Sequence, residues 1–577
     1  MSSPEALPAS RWERLLPWLG AILGVVWFLA AFGPGLLDPT NLRPVSRGDL
    51  AQHVLGWFHF RNVPWSFPLG STPTLIHPMT VAVGFMDSNP WVALAFKPFS
   101  RWLPQDFHYV GLWFALCFAL QGWMGVKLME RLSPRLMPRL LGAALFVTSP
   151  VLLFRVGHDT LCAHWMLLAM GLLHLRPHAD SRAAWRTVGW ALALNVLAAG
   201  VHPYLEMMVL ALTASLLVTL AWVEHLLSWR AAAAAFGGVV GVAVGAFVLF
   251  GYVGQGVGSE AIGFGFYSAD LLALINPNGW SSVLPGWSVG EGQYEGFGYL
   301  GTGSLALSAV ALLEWPARWW PQAKAAVKAQ LPLVVVVLLL SLLAFSSVVT
   351  AAGHHVLTMR SAVEPLLPLL APFRSSGRFI WLLNYAVVTG VLALTVWRWR
   401  QHPRVLVALL LGAVAIQGVD TPNMWRGNLL PSHPWPRLQA PEWERVDPFY
   451  RHIVLFPPIL PGAGEPCEEG IFPDDAYLLF GDLAYRRGVT TNSAALARID
   501  ASQAMAACRS LRSDVQSGRF AEDTLYVVGK KQTAAFQRPE LTCGVLDGYT
   551  VCVAARQGQF REALVRAPSV ATPLPKE

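Results

Sequence analysis

Residues 15–37 read LLPWLGAILGVVWFLAAFGPGLL, and this stretch decides the fold class. It contains no charged residue and exceeds the ~20 apolar residues that a helix needs to cross the hydrocarbon core of a bilayer. It is also longer than the apolar core of a signal peptide, and it lacks a small-x-small cleavage site. We therefore predict a first transmembrane helix that is retained in the mature chain.

Similar apolar segments recur along the chain. With 54% hydrophobic and only 13% charged residues among 577, the composition excludes an ordinary soluble domain, which carries about 25% charged residues. We predict an α-helical polytopic membrane protein with about 11 transmembrane helices. The predicted spans are residues 15–37, 107–126, 138–156, 160–176, 186–202, 205–227, 231–254, 301–315, 331–349, 378–397 and 404–420.

The positive residues between the spans predict the orientation. Short loops carry groups such as Lys127, Arg131 and Arg135, which the positive-inside rule assigns to the cytoplasm, so the net charge of +7 does not indicate a nucleic-acid partner. The N-terminus is then inside and the C-terminus outside. Four long outer segments result, at residues 38–106, 255–300, 350–377 and beyond 421, and within the first of them residues 88–103 predict an interfacial helix.

The composition changes near residue 440. Segments such as HIVLFPP and DTLYVVG predict short buried strands, and ASQAMAACRSLRSDVQSG predicts a helix that ends at Gly518. We therefore predict a transmembrane domain at 1–420 that includes the first outer loop 38–106, a linker at 421–443, and an extracytoplasmic α/β domain at 444–577.

Four of the six cysteines fall in the C-terminal domain, which predicts two disulfides and an oxidising compartment. Three pairings are possible, and we expect Cys467–Cys508 with Cys543–Cys552. The alternative is four unpaired thiols in a cytosolic domain, which requires the inverse orientation.

The segment SRGDLAQHVLGWFHFR, residues 46–61, places Asp49 and His53 one helical turn apart. A carboxylate backed by an imidazole suits a general base, and the carboxylate also suits a divalent cation such as Mg or Mn. The alternative is that Asp49 caps the helix, since Gly-Asp before an apolar run is a common capping signal. There is no HExxH or paired CxxC pattern, so a dedicated zinc site is not expected.

Other ionisable residues lie at the same predicted outer level. Such residues at span edges are costly and usually face a cavity or a partner. The residues expected to shape a site are Asp87, His158, Asp159, His202, Glu291 and Glu295. Arg374 and Arg378 flank a Ser-Ser-Gly turn and suit a phosphate, with membrane anchoring as the alternative role.

The segments RGDLAQHVLGWFHFRNVPWSFPLG, GHDTLCAHWMLL, HPYL and FRSSGRFIW resemble a bacterial family of uncharacterised integral membrane proteins. The topology and the acid in the first outer loop also resemble the GT-C superfamily of polyprenyl-phosphate-dependent glycosyltransferases, which is an analogy of architecture. This resemblance implies that Asp49 activates an acceptor hydroxyl and that Arg374 and Arg378 hold the departing lipid phosphate. Many of these relatives have paired acids in this loop, whereas Leu50 follows Asp49 here, so metal dependence is left open.

The sequence thus predicts an enzyme of the bacterial inner membrane that transfers a sugar from a polyprenyl-phosphate donor to a glycan, lipid or protein acceptor. Two alternatives remain. A lipid-linked glycan transporter would use the same cavity without chemistry, and a non-catalytic envelope assembly protein would act through its C-terminal domain.

Overall fold

The structure, a computed structural model of the full chain, describes residues 11–253, 264–313, 320–366, 370–426, 429–460, 467, 472 and 475–568. The chain divides into two compact units. The first comprises Met1–Asn41, Tyr109–Val244 and Glu260–Pro431, and the second comprises Leu42–His108, Gly245–Ser259 and Ser432–Glu577.

The first unit is helical. Its helices are Arg11–Phe32, Val110–Leu132, Leu136–Val147, Pro150–Phe154, Trp165–His174, Ser181–Ala199, Pro203–Val218, Trp229–Phe250 (whose end belongs to the second unit), Thr302–Leu313, Trp320–Ala329, Leu331–Phe345, Arg360–Val363, Ile380–Trp399, Pro403–Asp420 and Pro422–Trp425.

Seven helical segments in the described residues are long and apolar enough to cross a membrane. They are Glu13–Phe32, Val110–Leu132, Leu136–Gly157, Pro203–Val223, Trp229–Phe250, Ser376–Trp399 and Pro403–Asp420. The predicted membrane-helix character is therefore confirmed. All eleven predicted spans contain helix, but four of those helices lie outside this set of seven, so the count of eleven stays a prediction.

The four remaining helices miss the set for physical reasons. Trp165–His174, Thr302–Leu313 and Leu331–Phe345 have 10, 12 and 15 residues, fewer than a bilayer requires. Ser181–Ala199 is long enough with 19 residues, but Arg182 and Arg186 lower the hydropathy of its first turns.

Glycines allow a close helix contact in the first unit. Helix Arg11–Phe32 packs on Val110–Leu132, and a side chain at Gly24 would collide with the backbone carbonyl of Phe118. Gly20 and Gly122 face each other in the same way. Small residues four apart let two membrane helices approach closely enough for their backbones to touch.

The described residues contain nine strands, numbered in chain order. They are β1 Ser71–Thr72, β2 Val81–Ala82, β3 Val348–Ala351, β4 His354–Thr358, β5 His452–Phe456, β6 Thr490–Thr491, β7 Thr524–Val528, β8 Thr542–Leu546 and β9 Tyr549–Val553. β1 pairs with β2 and β3 with β4, both antiparallel.

The second unit centres on a mixed five-stranded sheet with the order β6-β5-β7-β9-β8. β5 runs parallel to β6 and β7, whereas β9 is antiparallel to β7 and β8. Its helices are Gly48–Asn62, Pro90–Phe96, Ala476–Arg487, Ala501–Ser517 and Gln559–Arg566. The predicted strands in HIVLFPP and DTLYVVG are confirmed, as is the helix that Gly518 ends with φ 73°.

Both expected disulfides form. The Cα atoms of Cys467 and Cys508 are 5.4 Å apart, and those of Cys543 and Cys552 are 4.1 Å apart. The second pair joins directly opposed residues of β8 and β9.

From Leu42 onward, the segment predicted as the first outer loop belongs to the second unit, whereas the sequence assigned it to the transmembrane domain. Backbone hydrogen bonds give the reason, because Thr491 N donates to Thr74 O and His77 N donates to Thr491 O, each at 2.8 Å. The loop thereby pairs with the edge strand β6 of the C-terminal sheet. Within this loop, the predicted interfacial segment forms helix Pro90–Phe96, which continues as a 3-10 turn Lys97–Phe99.

Candidate functional site

Asp49 lies in the first turn of helix Gly48–Asn62 and is exposed. The capping position is Arg47, and no side chain caps this helix end. Among the described residues Asp49 makes neither a hydrogen bond nor an ion pair. The capping role weighed for this acid is therefore not observed, and its charge is left without a direct partner in this part of the chain.

Within the second unit, a tyrosine of the C-terminal domain feels the charge of Asp49 and of a second acid. Tyr477 has its pKa raised to about 12, first by burial and then by the nearby charges of Asp475 and Asp49. Asp475 is exposed and has the left-handed φ of 60°. A second carboxylate, from a distant part of the sequence, thus acts on the same tyrosine as Asp49.

His53 pairs with a different carboxylate from the one predicted. Its side chain is buried, and Nε2 lies 4.0 Å from Oδ2 of Asp87. Asp49, one turn earlier, stays at the exposed end of the helix, so the predicted Asp49–His53 pair is replaced by His53–Asp87. Ser88, beside Asp87, donates from Oγ to the backbone carbonyl of His53 at 2.5 Å and fixes this segment against the helix.

Two predicted histidines meet in the first unit. The rings of His158 and His202 are T-shaped, with centroids 5.5 Å apart, and both side chains are buried. His202 also caps helix Pro203–Val218, since its Nδ1 accepts from the backbone N–H of Tyr204 at 3.1 Å. Asp159 follows His158 at the start of a 3-10 turn, and its carbonyl accepts from Trp113 Nε1 at 2.9 Å.

Glu295 lies at the centre of a buried cluster in the first unit, the Glu295 triad, which also contains Arg155 and Arg378. Arg378 binds the carboxylate in bidentate fashion at 2.9 and 2.8 Å, and Arg155 donates to the same carboxylate at 2.9 Å. Burial alone would raise the pKa of Glu295, but the two guanidiniums outweigh it and hold that pKa well below its usual range. Two cations share one anion, so the triad keeps a net positive charge.

The remaining predicted residues flank this triad. Glu291 begins the same short 3-10 helix, Glu291–Gly296, but is exposed. Arg374 is half-buried, four residues before Arg378, and its guanidinium has no hydrogen bond or ion pair within the described ranges. Of the two arginines predicted to hold a phosphate, Arg374 is therefore uncommitted, whereas Arg378 is already engaged by Glu295.

The two side-chain pairs described above each supply only part of a metal-ligand set. His53 with Asp87, and His158 with His202, offer two side chains each. Mg or Mn usually takes six ligands, mostly oxygen, and often keeps several waters. Neither pair on its own fits such an ion, so the metal dependence left open by the sequence stays a prediction.

The sequence assigned no role to three residues that the structure makes noteworthy. Asp475 gives no local signal, because only the fold brings it close to Tyr477, on which the charge of Asp49 also acts. Arg155 and Glu206 do carry a signal, since they are among the ionisable residues at span edges that indicate a polar site. Glu206 is buried, and both its carboxylate oxygens are without a hydrogen-bond partner in the part of the chain that the structure describes.

Comparison with known families places the chain. The family described as a domain of unknown function (DUF6311) matches residues 21–422, and the DUF6311 C-terminal domain matches residues 442–554. The first match alone covers more than half of the chain, so this protein belongs to the DUF6311 family. A comparison with curated proteins finds no match.

Proposed function

We propose that this member of the DUF6311 family is a membrane glycosyltransferase. It moves a sugar from a polyprenyl-phosphate donor to a glycan, lipid or protein acceptor at the outer leaflet of the bacterial inner membrane. One observation carries the proposal, namely the cationic excess formed by the Glu295 triad and the uncommitted Arg374.

The donor part of the reaction needs a cation where charge develops. When the bond between the anomeric carbon and the phosphate oxygen breaks, its electron pair goes to the phosphate, and fixed cations stabilise that charge best. Arg374 suits this role because none of its donors is engaged among the described residues, whereas Arg378 is held by Glu295. We therefore assign direct phosphate contact to Arg374, and assign Arg378 to keeping the surroundings positive.

The acceptor part needs a base that takes the proton of the attacking hydroxyl. Asp49 is our first candidate because it is exposed and its charge is not neutralised by an ion pair in the described chain. The His53–Asp87 pair is the second candidate, since a carboxylate 4.0 Å away stabilises the positive charge that an imidazole gains when it takes a proton. Each assignment rests on the surroundings within its own unit.

The test uses the full chain in nanodiscs with radiolabelled polyprenyl-phosphate sugars and a panel of acceptors. Release of polyprenyl phosphate is measured for wild type, Asp49→Asn, Asp87→Asn and Arg374→Gln. Loss of a general base should slow release by about 10²–10⁴-fold. The matched control is Asp514→Asn, a partly exposed acid of the second unit whose partner is a surface arginine. Wild-type rates in Asp49→Asn would reject Asp49 as the base. Absence of polyprenyl phosphate release with every donor would reject the proposed glycosyltransferase activity.

Glu206 favours transport of a lipid-linked glycan as a second candidate function. A buried carboxyl without a described partner inside an apolar span is typical of proton relays in transporters. The same nanodisc preparation distinguishes the two. Movement of labelled lipid between leaflets that Glu206→Gln abolishes, with no polyprenyl phosphate released, would select the transporter.

A further inference from the structure

A cavity of about 410 Å³ lies within the second unit, at the end of helix Gly48–Asn62. Its lining includes Arg61, Ser100 and Gln105, together with Arg486 and Arg487 at the end of helix Ala476–Arg487. Its volume is in the range of small-molecule sites, which run from roughly 300 to 1,000 Å³. Three arginines on one cavity of this size indicate an anionic ligand.

Arg61 is the buried cation of this cavity. Its Nη1 donates to the carbonyls of Pro104 and Gln105, and its Nη2 to those of Ser100 and Leu103, at 2.8–3.3 Å. These bonds orient the guanidinium but do not cancel its charge, because no carboxylate joins them in the described residues. Its Nε–H is buried and has no acceptor there. Burial lowers the pKa of Arg61, which is the effect expected of a cation that has lost water without gaining an anion.

The two arginines at the end of helix Ala476–Arg487 differ in their ion pairs. Arg486 is neutralised by Asp482 at 2.8 Å and Asp106 at 2.6 Å, and Asp106 also accepts from Arg437 at 2.9 Å. Arg487 is exposed and makes one bond among the described residues, from Nη2 to the carbonyl of Trp443 at 2.6 Å. Arg486 and Arg437 therefore engage both acids of this network. Arg61 and Arg487 are left without a carboxylate partner among the described residues.

A neutral donor completes the lining. The Ser100 hydroxyl is buried and unpartnered within the described chain, although its backbone carbonyl binds Arg61. A buried hydroxyl without a partner is unfavourable, so a ligand oxygen within reach of it would offset that penalty. Guanidinium and hydroxyl donors together match the oxygens of a phosphate better than a single point charge would.

We propose that this cavity binds a phosphate group carried by a molecule of sugar-phosphate size, with Arg487 contacting the phosphate, Ser100 adding a neutral donor and Arg61 supplying the buried positive field. The ligand's phosphate could come from a free sugar phosphate or from a phospholipid headgroup. The site is separate in the sequence from Arg374, and it stands whether or not the chain transfers sugars.

The test measures binding of glucose 1-phosphate and of inorganic phosphate to the full chain in neutral detergent by isothermal titration calorimetry. We expect glucose 1-phosphate to bind, and Arg487→Glu to weaken it at least tenfold. Ser100→Ala is a milder variant that keeps the arginines and should weaken binding several-fold. The matched control is Arg566→Glu, an exposed helical arginine of the same unit that should leave the affinity unchanged.

Two further arms separate the sources of phosphate. Nanodiscs of phosphatidylglycerol should reduce the apparent affinity for glucose 1-phosphate relative to phosphatidylcholine nanodiscs if headgroups occupy the cavity, and equal affinities identify a free sugar phosphate as the ligand. Absence of binding up to about 10 mM glucose 1-phosphate overturns the proposal. So does binding that Arg374→Gln abolishes and Arg487→Glu leaves intact, because that result assigns the phosphate to the cation of the proposed donor site.

Discussion

Glu295→Gln tests the electrostatics of the Glu295 triad most directly. The change keeps the shape of the side chain but removes the anion that two buried guanidiniums share. Removing one partner of a buried ion pair costs about 3–5 kcal/mol, because the remaining charge has neither water nor a counterion. Here Arg155 and Arg378 would also repel each other, so we expect the upper part of that range.

Urea unfolding of the full chain in detergent, followed by tryptophan fluorescence, measures this loss. The control is Glu291→Gln, an exposed acid in the same 3-10 helix, which should change the free energy of unfolding by less than about 0.5 kcal/mol. Adding Arg155→Met to Glu295→Gln removes one cation that has lost its counterion. The double variant should therefore be about 0.5–3 kcal/mol more stable than the sum of the two single losses predicts.

The pH dependence provides a second readout with a definite sign. The folded pKa of Glu295 lies below its ordinary value of about 4.3, so its contribution to stability is present above that pH and is lost as the pH falls through the folded pKa. Wild type should therefore lose stability more steeply than Glu295→Gln on acidification. Equal unfolding midpoints for wild type and Glu295→Gln at pH 7 would refute the reasoning.

Three other properties of the chain lead to measurable expectations. Burial lowers the pKa of His59 to about 4. The free energy of unfolding should therefore fall by about 1.4 kcal/mol per pH unit as the pH drops from about 6.5 towards 4. In a pH series of urea titrations, His59→Gln should flatten this slope. The two disulfides close loops of different length, with sequence separations of 41 and 9. Replacing Cys467 and Cys508 by Ser should therefore lower the free energy of unfolding by about 4 kcal/mol, and replacing Cys543 and Cys552 by about 2.6 kcal/mol. If thermal melts show the larger loss for the shorter loop, the chain-entropy account is contradicted. Gly24→Ala should destabilise by about 1–3 kcal/mol because it pushes against the Phe118 carbonyl, whereas Gly241→Ala meets nothing within 4 Å and should be nearly neutral in the same assay.

The fold was predictable wherever the local pattern was strong. Long apolar runs, the strand HIVLF and the helix ending at Gly518 all depend on neighbours in the sequence, and the structure confirms them. The membership of the first outer loop in the second unit was not predictable. It depends on Thr74 and His77 pairing with Thr491, and backbone hydrogen bonds between distant segments leave no periodic signal in either one.

The candidate residues were predictable by type and depth but not by partner. Helical spacing suggested that His53 would support Asp49, yet the burial of one face of that helix directs His53 to Asp87. Glu295 and Arg378 were predicted in separate roles and form one ion pair instead, since both lie on short turns whose course the sequence does not determine.

Pairing in turn decides which charges can act on a ligand. A carboxylate or guanidinium that already has a buried counterion gains little from a ligand, because it would have to break the existing pair first. By that criterion, the paired residues stabilise the fold rather than bind a ligand. They are Glu295, Arg378 and Arg486. Asp49, Arg374 and Arg487, whose charges are not met by an ion pair in the described residues, are the groups at which a ligand's proton or phosphate would gain most. The three corresponding variants should therefore change binding or turnover more than stability, and the opposite pattern should hold for Glu295→Gln.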